Sequence, residues 1–241
     1  MATFQFRNFT LDDCGCGLRV GSDSVLLAAR FCRRHGGSRH IADIGSGSGV
    51  IALICADGCP DAAISAVELD ITAAAAAKAN FEASPWADRL SILNADFESL
   101  VPRQPFDAII CNPPYFADGL EAPDPVRASA RHQRSLTFGT LLEYGRRNLA
   151  PGGVLTFITP SEAEKQVVWE GVRTGMHLRD LCRVRTSPRK APTRLLWEFS
   201  PTDGPYAESV LDMRCADGRY SAQYVALVEA FYHHLKQPDI R

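Results

Sequence analysis

Asn112-Pro113-Pro114-Tyr115 directly follows the apolar run Phe106-Asp107-Ala108-Ile109-Ile110-Cys111, which reads as a buried strand. That arrangement suits chemistry on a planar nitrogen. An amine conjugated to a ring or carbonyl is a poor nucleophile, so its electrons must be drawn back onto nitrogen. The side-chain oxygen of Asn112 and the carbonyl of Pro113 can both accept its N–H bonds. Proline brings no amide donor and fixes φ, which holds the acceptors in place and keeps competing donors away. Tyr115 can stack on the ring. A Pro-Pro turn after a strand also occurs for purely structural reasons, so the motif acquires meaning from its context.

That context lies upstream, in Ile41-Ala42-Asp43-Ile44-Gly45-Ser46-Gly47-Ser48-Gly49-Val50-Ile51, which reads as a strand, a glycine-rich turn and a helix start. Glycines there permit positive φ and let a ligand approach bare backbone. A dinucleotide fingerprint is spaced G-x-G-x-x-G/A; here the third glycine comes one position early and Val50 holds the sixth place. Asp43 at the strand tip would repel a pyrophosphate but suits an ammonium group. A cofactor with an amino-acid end is favoured over a dinucleotide.

The next strand, Ala63 to Val67, runs into Glu68-Leu69-Asp70, and Glu68 stands where an acid can accept from ribose hydroxyls. A third strand, Leu90 to Asn94, ends at Ala95-Asp96-Phe97, where Asp96 can accept from an adenine amino group. Each acid alone would be an ordinary helix cap. Recurring at successive strand ends, they mark one site, because ligands of open α/β sheets lie across the carboxyl ends of the strands.

The ordered set Asp-x-Gly-x-Gly-x-Gly, Glu-x-Asp, Ala-Asp, Asn-Pro-Pro-Tyr resembles the class I S-adenosylmethionine-dependent methyltransferases, over roughly Val20 to Ser200. Within them the chain looks most like the bacterial valine-tRNA (adenine-37 N6) methyltransferases. Arg19 to Leu27, Ala130 to Phe138 and Lys190 to Ser200 carry that narrower likeness. The resemblance implies S-adenosyl-L-methionine as cofactor, tRNA as substrate, and Ser22 or Asp23 beside the cofactor's amino-acid end. The resembled family usually has Thr where Ser22 stands and Gly where Ser24 stands. Asp43, Gly45, Ser46, Gly47, Gly49, Glu68, Leu69, Asp96, Phe97 and Asn112 are the other expected cofactor contacts. Asn112, Pro113, Pro114 and Tyr115 form the expected catalytic set.

Composition is compatible with this. The chain has 241 residues, 46% of them hydrophobic, enough for one full α/β core. A net charge of −2 gives no global argument for nucleic acid. Charge is locally uneven, however. Only Lys78, Lys165, Lys190 and Lys236 are lysines among 26 basic residues, and arginine binds phosphate through a planar fork. Arg127, Arg131, His132 and Arg134 cluster beyond the catalytic motif, and Arg183, Arg185, Arg189, Lys190 and Arg194 cluster late in the chain. From these, Phe116, Arg127, Arg131, Arg134, Arg189, Lys190 and Arg194 are the expected RNA contacts; solvated surface is the plainer reading of each cluster. No two of the eight cysteines form a C-x-x-C pair, and Cys14-Gly15-Cys16 is isolated, so no metal is expected. No signal peptide is evident, and no stretch reaches the roughly 18 apolar residues of a membrane span, so a cytoplasmic monomer is expected.

Strands and helices alternate as a doubly wound sheet requires. The expected fold is therefore α/β: a Rossmann-like, seven-stranded sheet with an antiparallel edge, the class I methyltransferase fold. One domain spans 1–241, with a short N-terminal extension to about residue 20, weakly alternating as a hairpin, and a C-terminal helical extension over about 206–241. Helices are expected at Ser22 to Arg34, capped by Ser22 or Asp23, and at Thr72 to Ala83, Phe138 to Leu149, Ser161 to Thr174 and Tyr220 to Leu235. Residues 116–135 lack periodicity and read as a lid over the target base.

The expected mechanism is in-line displacement, an adenine amine attacking the sulfonium methyl, with the base unstacked from an RNA loop. A release-factor glutamine methyltransferase shares the Asn-Pro-Pro-Tyr logic, but its sizeable leading helical domain has little room in the 42 residues before Asp43. A DNA adenine methyltransferase would need a target-recognition domain that is not visible. A noncatalytic RNA-binding module would not need the intact catalytic tetrapeptide.

Overall fold

The computed structural model describes residues 3–12, 21–113 and 136–233. A two-stranded hairpin, β1 (Thr3–Gln5) and β2 (Thr10–Asp12), precedes helix α1 (Ser22–His35). The alternating body follows as β3 (His40–Ile44), α2 (Val50–Gly58), β4 (Ala63–Glu68), α3 (Ile71–Glu82), β5 (Leu90–Asn94) and β6 (Phe106–Cys111). It continues with α4 (Phe138–Asn148), β7 (Leu149–Pro160), α5 (Glu164–Thr174), β8 (His177–Arg185), β9 (Arg194–Ser200), β10 (Ala207–Asp212) and α6 (Ala222–Val228).

The main sheet runs β10-β8-β9-β7-β6-β3-β4-β5. Only β9 opposes its neighbours, pairing antiparallel with both β7 and β8. Period-two alternation builds both faces. Ile41, Ile64, Ala108 and Ile110 join one apolar cluster with α1, α2, α3, α6 and the hairpin. Ala42, Ile44, Val67, Ile109 and Cys111 join the other, with α4 and α5. A central sheet buried on both faces fixes its register, since a one-residue slip would exchange the two clusters.

Three expectations need correction. The sheet has eight strands, because Ala207–Asp212, read as the start of a helical extension, pairs parallel with β8 along its outer edge. Leu211 is the buried residue of that strand, and its acids face arginines of β8: Arg183 donates to Glu208 at 2.5 Å and Arg185 to Asp212 at 2.7 and 2.8 Å. Second, the terminal helix is limited to Ala222–Val228 and capped by Ser221, whose Oγ accepts from the Tyr224 amide at 3.0 Å. Third, α1 is capped by Gly21 without a side-chain bond, so Ser22 and Asp23 lie inside its first turn.

Candidate active site

Parallel register brings the motifs together. Ile44 pairs with Cys111 on one side and Val67 on the other, and Glu68 pairs with Asn94. Gly45, Asn112, Glu68 and the Ala95-Asp96 step therefore emerge side by side at the carboxyl edge of β5, β4, β3 and β6. The amides of Gly45 and Ser46 donate to the Val67 carbonyl at 2.9 and 3.2 Å, which folds the turn back over β4. Gly45, Gly47 and Gly49 all have positive φ, at 68°, 55° and 89°. At Gly49 a Cβ would also overlap the Phe81 ring, so glycine is required there for both conformation and space.

Asp43 is fully buried at the tip of β3. One carboxylate oxygen accepts from the Ala52 amide at 3.1 Å, while the other has no partner among the described residues. Burial pushes its carboxyl up to about 7, against the Ala52 bond that favours the charged form, with Glu68 repelling it further. The Ser46 hydroxyl is likewise buried without a partner among the described residues. Native proteins seldom leave such atoms orphaned unless a ligand or ordered water meets them. A buried carboxylate oxygen and hydroxyl next to the glycine turn, unpaired among the described residues, are groups of the kind that can meet the ammonium and carboxylate of an amino-acid end.

Glu68 holds the turn as well as facing the site. Its two oxygens accept from the amides of Gly47 at 2.8 Å and Asp70 at 2.9 Å. Each oxygen keeps further acceptor capacity for a ribose hydroxyl. Leu69, 48% exposed beside it, offers apolar surface to a base. Asp96 caps a short 3-10 turn by accepting from the Glu98 amide at 2.9 Å. Phe97, expected among the cofactor contacts, buries its ring in the core edge-on to Tyr144.

Asn112 follows β6 immediately, its Nδ2 donating to the Ser24 hydroxyl at 2.8 Å, and Pro113 behind it is buried. Asp23 accepts from Arg194 Nε at 2.8 Å, tying the first turn of α1 to the start of β9. Pro114, Tyr115, Phe116, Arg127, Arg131, His132 and Arg134 lie outside the described residues, as does the 116–135 lid.

The late basic cluster does not form one face. Arg183 is clamped by Glu164 and Glu208, Arg185 by Asp212, and Arg194 pairs with Asp23. Arg189 and Lys190 are exposed on the turn between β8 and β9 and make no ion pair among the described residues. Because β9 runs antiparallel, that turn lies at the same sheet edge as Asn112.

Two residues in the site escaped the sequence reading. Ser24 is the partner of Asn112. Asn80, buried in the Ala-rich α3, donates to the carbonyls of Ser48 and Asp12 at 2.9 Å each, and accepts from the Asp12 amide at 3.0 Å. It thereby anchors the glycine turn and the hairpin to one helix. An amide among alanines was the only sign of it.

Among the described residues no group of three or more His, Cys, Asp or Glu is placed to hold a metal ion, and no helix is long and apolar enough to cross a membrane. The chain matches the methyltransferase small domain family over residues 16–174. A tRNA1(Val) (adenine(37)-N6)-methyltransferase of Porphyromonas gingivalis is 39% identical, with 95% of this chain and 94% of the relative covered. One from Aliivibrio fischeri is 37% identical, covering 95% of this chain and 97% of that protein. Among solved structures, a predicted O-methyltransferase from Agrobacterium tumefaciens superposes with a TM-score of 0.69 at 18% identity, covering 88% of this chain and 98% of the other. A glycopeptide N-methyltransferase complexed with sinefungin gives 0.58 at 16% identity, covering 76% and 89%. These last two likenesses establish the class I methyltransferase fold alone. With the glycine turn, the buried Asp43 and Asn112 gathered at one sheet edge, and with relatives matched over nearly the whole chain, the protein belongs to the methyltransferase small domain family and, within it, to the tRNA1(Val) (adenine(37)-N6)-methyltransferases.

Proposed function

We propose that the chain methylates the exocyclic N6 amine of adenine in tRNA, at position 37 of the valine tRNA named for its relatives. The observation that carries this reading is the adjacency of Asn112, immediately after β6, to the glycine turn and buried Asp43 of β3. When bound, S-adenosyl-L-methionine supplies an electrophilic methyl group on a sulfonium sulfur. Asp43 and Ser46 hold its amino-acid end, Glu68 its ribose, and Leu69 and Asp96 its adenine. Gly45, Gly47 and Gly49 keep the turn open to it, and Ser22 or Asp23, the latter already paired with Arg194, lies beside its amino-acid end.

Asn112 and the Pro113 carbonyl accept the two N–H bonds of the target amine. This draws its lone pair out of ring conjugation and aims it, so positioning and polarisation carry the rate. No general base is required. The amine becomes strongly acidic once alkylated, and the surplus proton passes to water. Pro114 and Tyr115 complete the motif, with Tyr115 as the stacking surface for the base.

Labelled S-adenosylmethionine offered in parallel with bulk tRNA, DNA and a release factor tests the reading. N6-methyladenosine recovered from digested tRNA is expected. Label confined to glutamine or to DNA would overturn the assignment. A cytoplasmic location follows from that substrate.

Arg189 and Lys190 are the described basic residues best placed to meet tRNA phosphates, since their neighbours in sequence are neutralised by ion pairs. Replacing both with alanine should weaken tRNA binding severalfold and lower the slope of log K against log salt by about 1 to 2. Cofactor affinity should not change. Filter binding across a salt series checks this, and an unaltered slope would place the phosphate contacts elsewhere.

A further inference from the structure

Asn112 is useful to an amine only in one orientation. Its oxygen must face the substrate, because its nitrogen would set donor against donor. Whatever holds the nitrogen end therefore bears on the reaction. One such partner is Ser24, whose Oγ accepts from Asn112 Nδ2 at 2.8 Å. Ser24 sits in the first turn of α1 and is only 8% exposed, so water does not readily replace it. The same turn is tied from the far side of the site by the Arg194 to Asp23 pair at 2.8 Å. The hydroxyl thus hangs from a turn fixed at both ends: by the packing of Val25, Leu26 and Leu27 in the core, and by β9.

We propose that Ser24 is a positioning residue for methyl transfer, acting through Asn112. The substrate amine selects the orientation with the Asn112 oxygen toward it, and Ser24 holds that orientation by accepting from Nδ2. In this arrangement the Ser24 oxygen is the acceptor, which leaves the Asn112 oxygen on the other side of the amide. Without it, the amide loses the Ser24 acceptor on its nitrogen side and its last torsion is less restrained. The cost falls on kcat, because binding of the cofactor uses other residues. The proposal rests on the reading of Asn112 as the acceptor of the amine.

Ser24→Ala is the test. Its kcat with tRNA should fall about tenfold, the scale of one lost hydrogen bond. The KM for tRNA and the Kd for S-adenosylmethionine should stay within about twofold, since neither ligand loses a direct contact. Ser24→Thr, which restores the hydroxyl, should recover most of the rate. A readout independent of turnover is the pair of side-chain amide protons of Asn112, assigned by their absence in Asn112→Ala. They should exchange with water faster in Ser24→Ala than in the parent.

A folded Ser24→Ala with parental kcat and parental amide exchange would overturn the proposal. So would a loss of kcat matched by equal losses in cofactor affinity and melting temperature, which would mark a packing defect. If Ser24→Ala cannot be folded, failure of Ser24→Thr to keep the parental amide exchange and kcat would count against it equally. Should Asn112→Ala itself retain full activity, the reading of the site fails, whereas an inactive Asn112→Ala beside an unimpaired Ser24→Ala removes Ser24 alone.

Discussion

Asn112→Ala is expected to abolish detectable methylation while leaving S-adenosylmethionine affinity nearly unchanged. Asn112 lies one residue beyond Cys111, which pairs with Ile44 at the tip of β3. Its amide therefore stands beside the glycine turn, near Asp43 and Glu68. Removing the amide takes away an acceptor that matters most as the nitrogen becomes nucleophilic, and such preorganised groups are worth on the order of 10² to 10³ in kcat. Losing polarisation and aim together should push the loss to the upper end or beyond. Isothermal titration with S-adenosylmethionine and single-turnover assays with tRNA separate the two effects. Parental turnover in this variant would remove the central residue of the mechanism.

Asp43→Asn should show the opposite pairing, weaker cofactor binding and a more stable empty protein. In the folded state burial raises the Asp43 carboxyl from 3.8 to about 7. Below about pH 4 the folded and unfolded chains both carry the proton, so the group contributes nothing. Between about 4 and 7 the unfolded chain releases it and the folded one retains it, so stability falls as pH rises. Above about 7 the full penalty persists, up to roughly 4 kcal/mol for a carboxyl raised that far. Asparagine removes that penalty. The empty variant should therefore melt several degrees above the parent at pH 8 and match it near pH 4.

Glu198 does not confuse the comparison. Its desolvation is outweighed by hydrogen bonds from His35 and Arg34, which hold its carboxyl down to about 2, and it titrates alike in both proteins. With cofactor present the order should reverse, because the ammonium group that offsets the buried charge binds only the parent tightly. Melting curves at pH 4 and pH 8, with and without S-adenosylmethionine, check both signs. Parallel pH profiles for the two empty proteins would show that Asp43 carries no buried charge.

The site was legible where chemistry and punctuation coincide. Each of β3, β4, β5 and β6 ends on a glycine, an acid or the Asn-Pro-Pro motif, and apolar runs upstream announce the strands, so both the order and the common edge could be read. Side-chain partnerships across the fold could not. Arg183 and Arg185 stand in a late basic cluster of the sequence, and only the fold places Glu208 and Asp212 of β10 against them. β10 itself escaped because Ala207–Asp212 buries little beyond Leu211 and owes its strand form to pairing with β8. Ser22 looked like a helix cap, but the backbone turns one residue earlier, at Gly21. Asn80 carries no motif, and Ser24 lies in the Arg19 to Leu27 segment without a chemical signature of its own. Their roles depend on Asn112 and Ser48, distant in sequence, meeting them in space.

The most direct measurement compares two transcripts of the valine tRNA, one with adenine at position 37 and one with guanine there, each incubated with the protein and S-adenosylmethionine and digested for nucleoside mass spectrometry. One equivalent of N6-methyladenosine from the first and none from the second is the expected result. Equal methylation of both transcripts would contradict the assigned position, and no methylated adenosine from either, with cofactor bound, would contradict the assigned reaction.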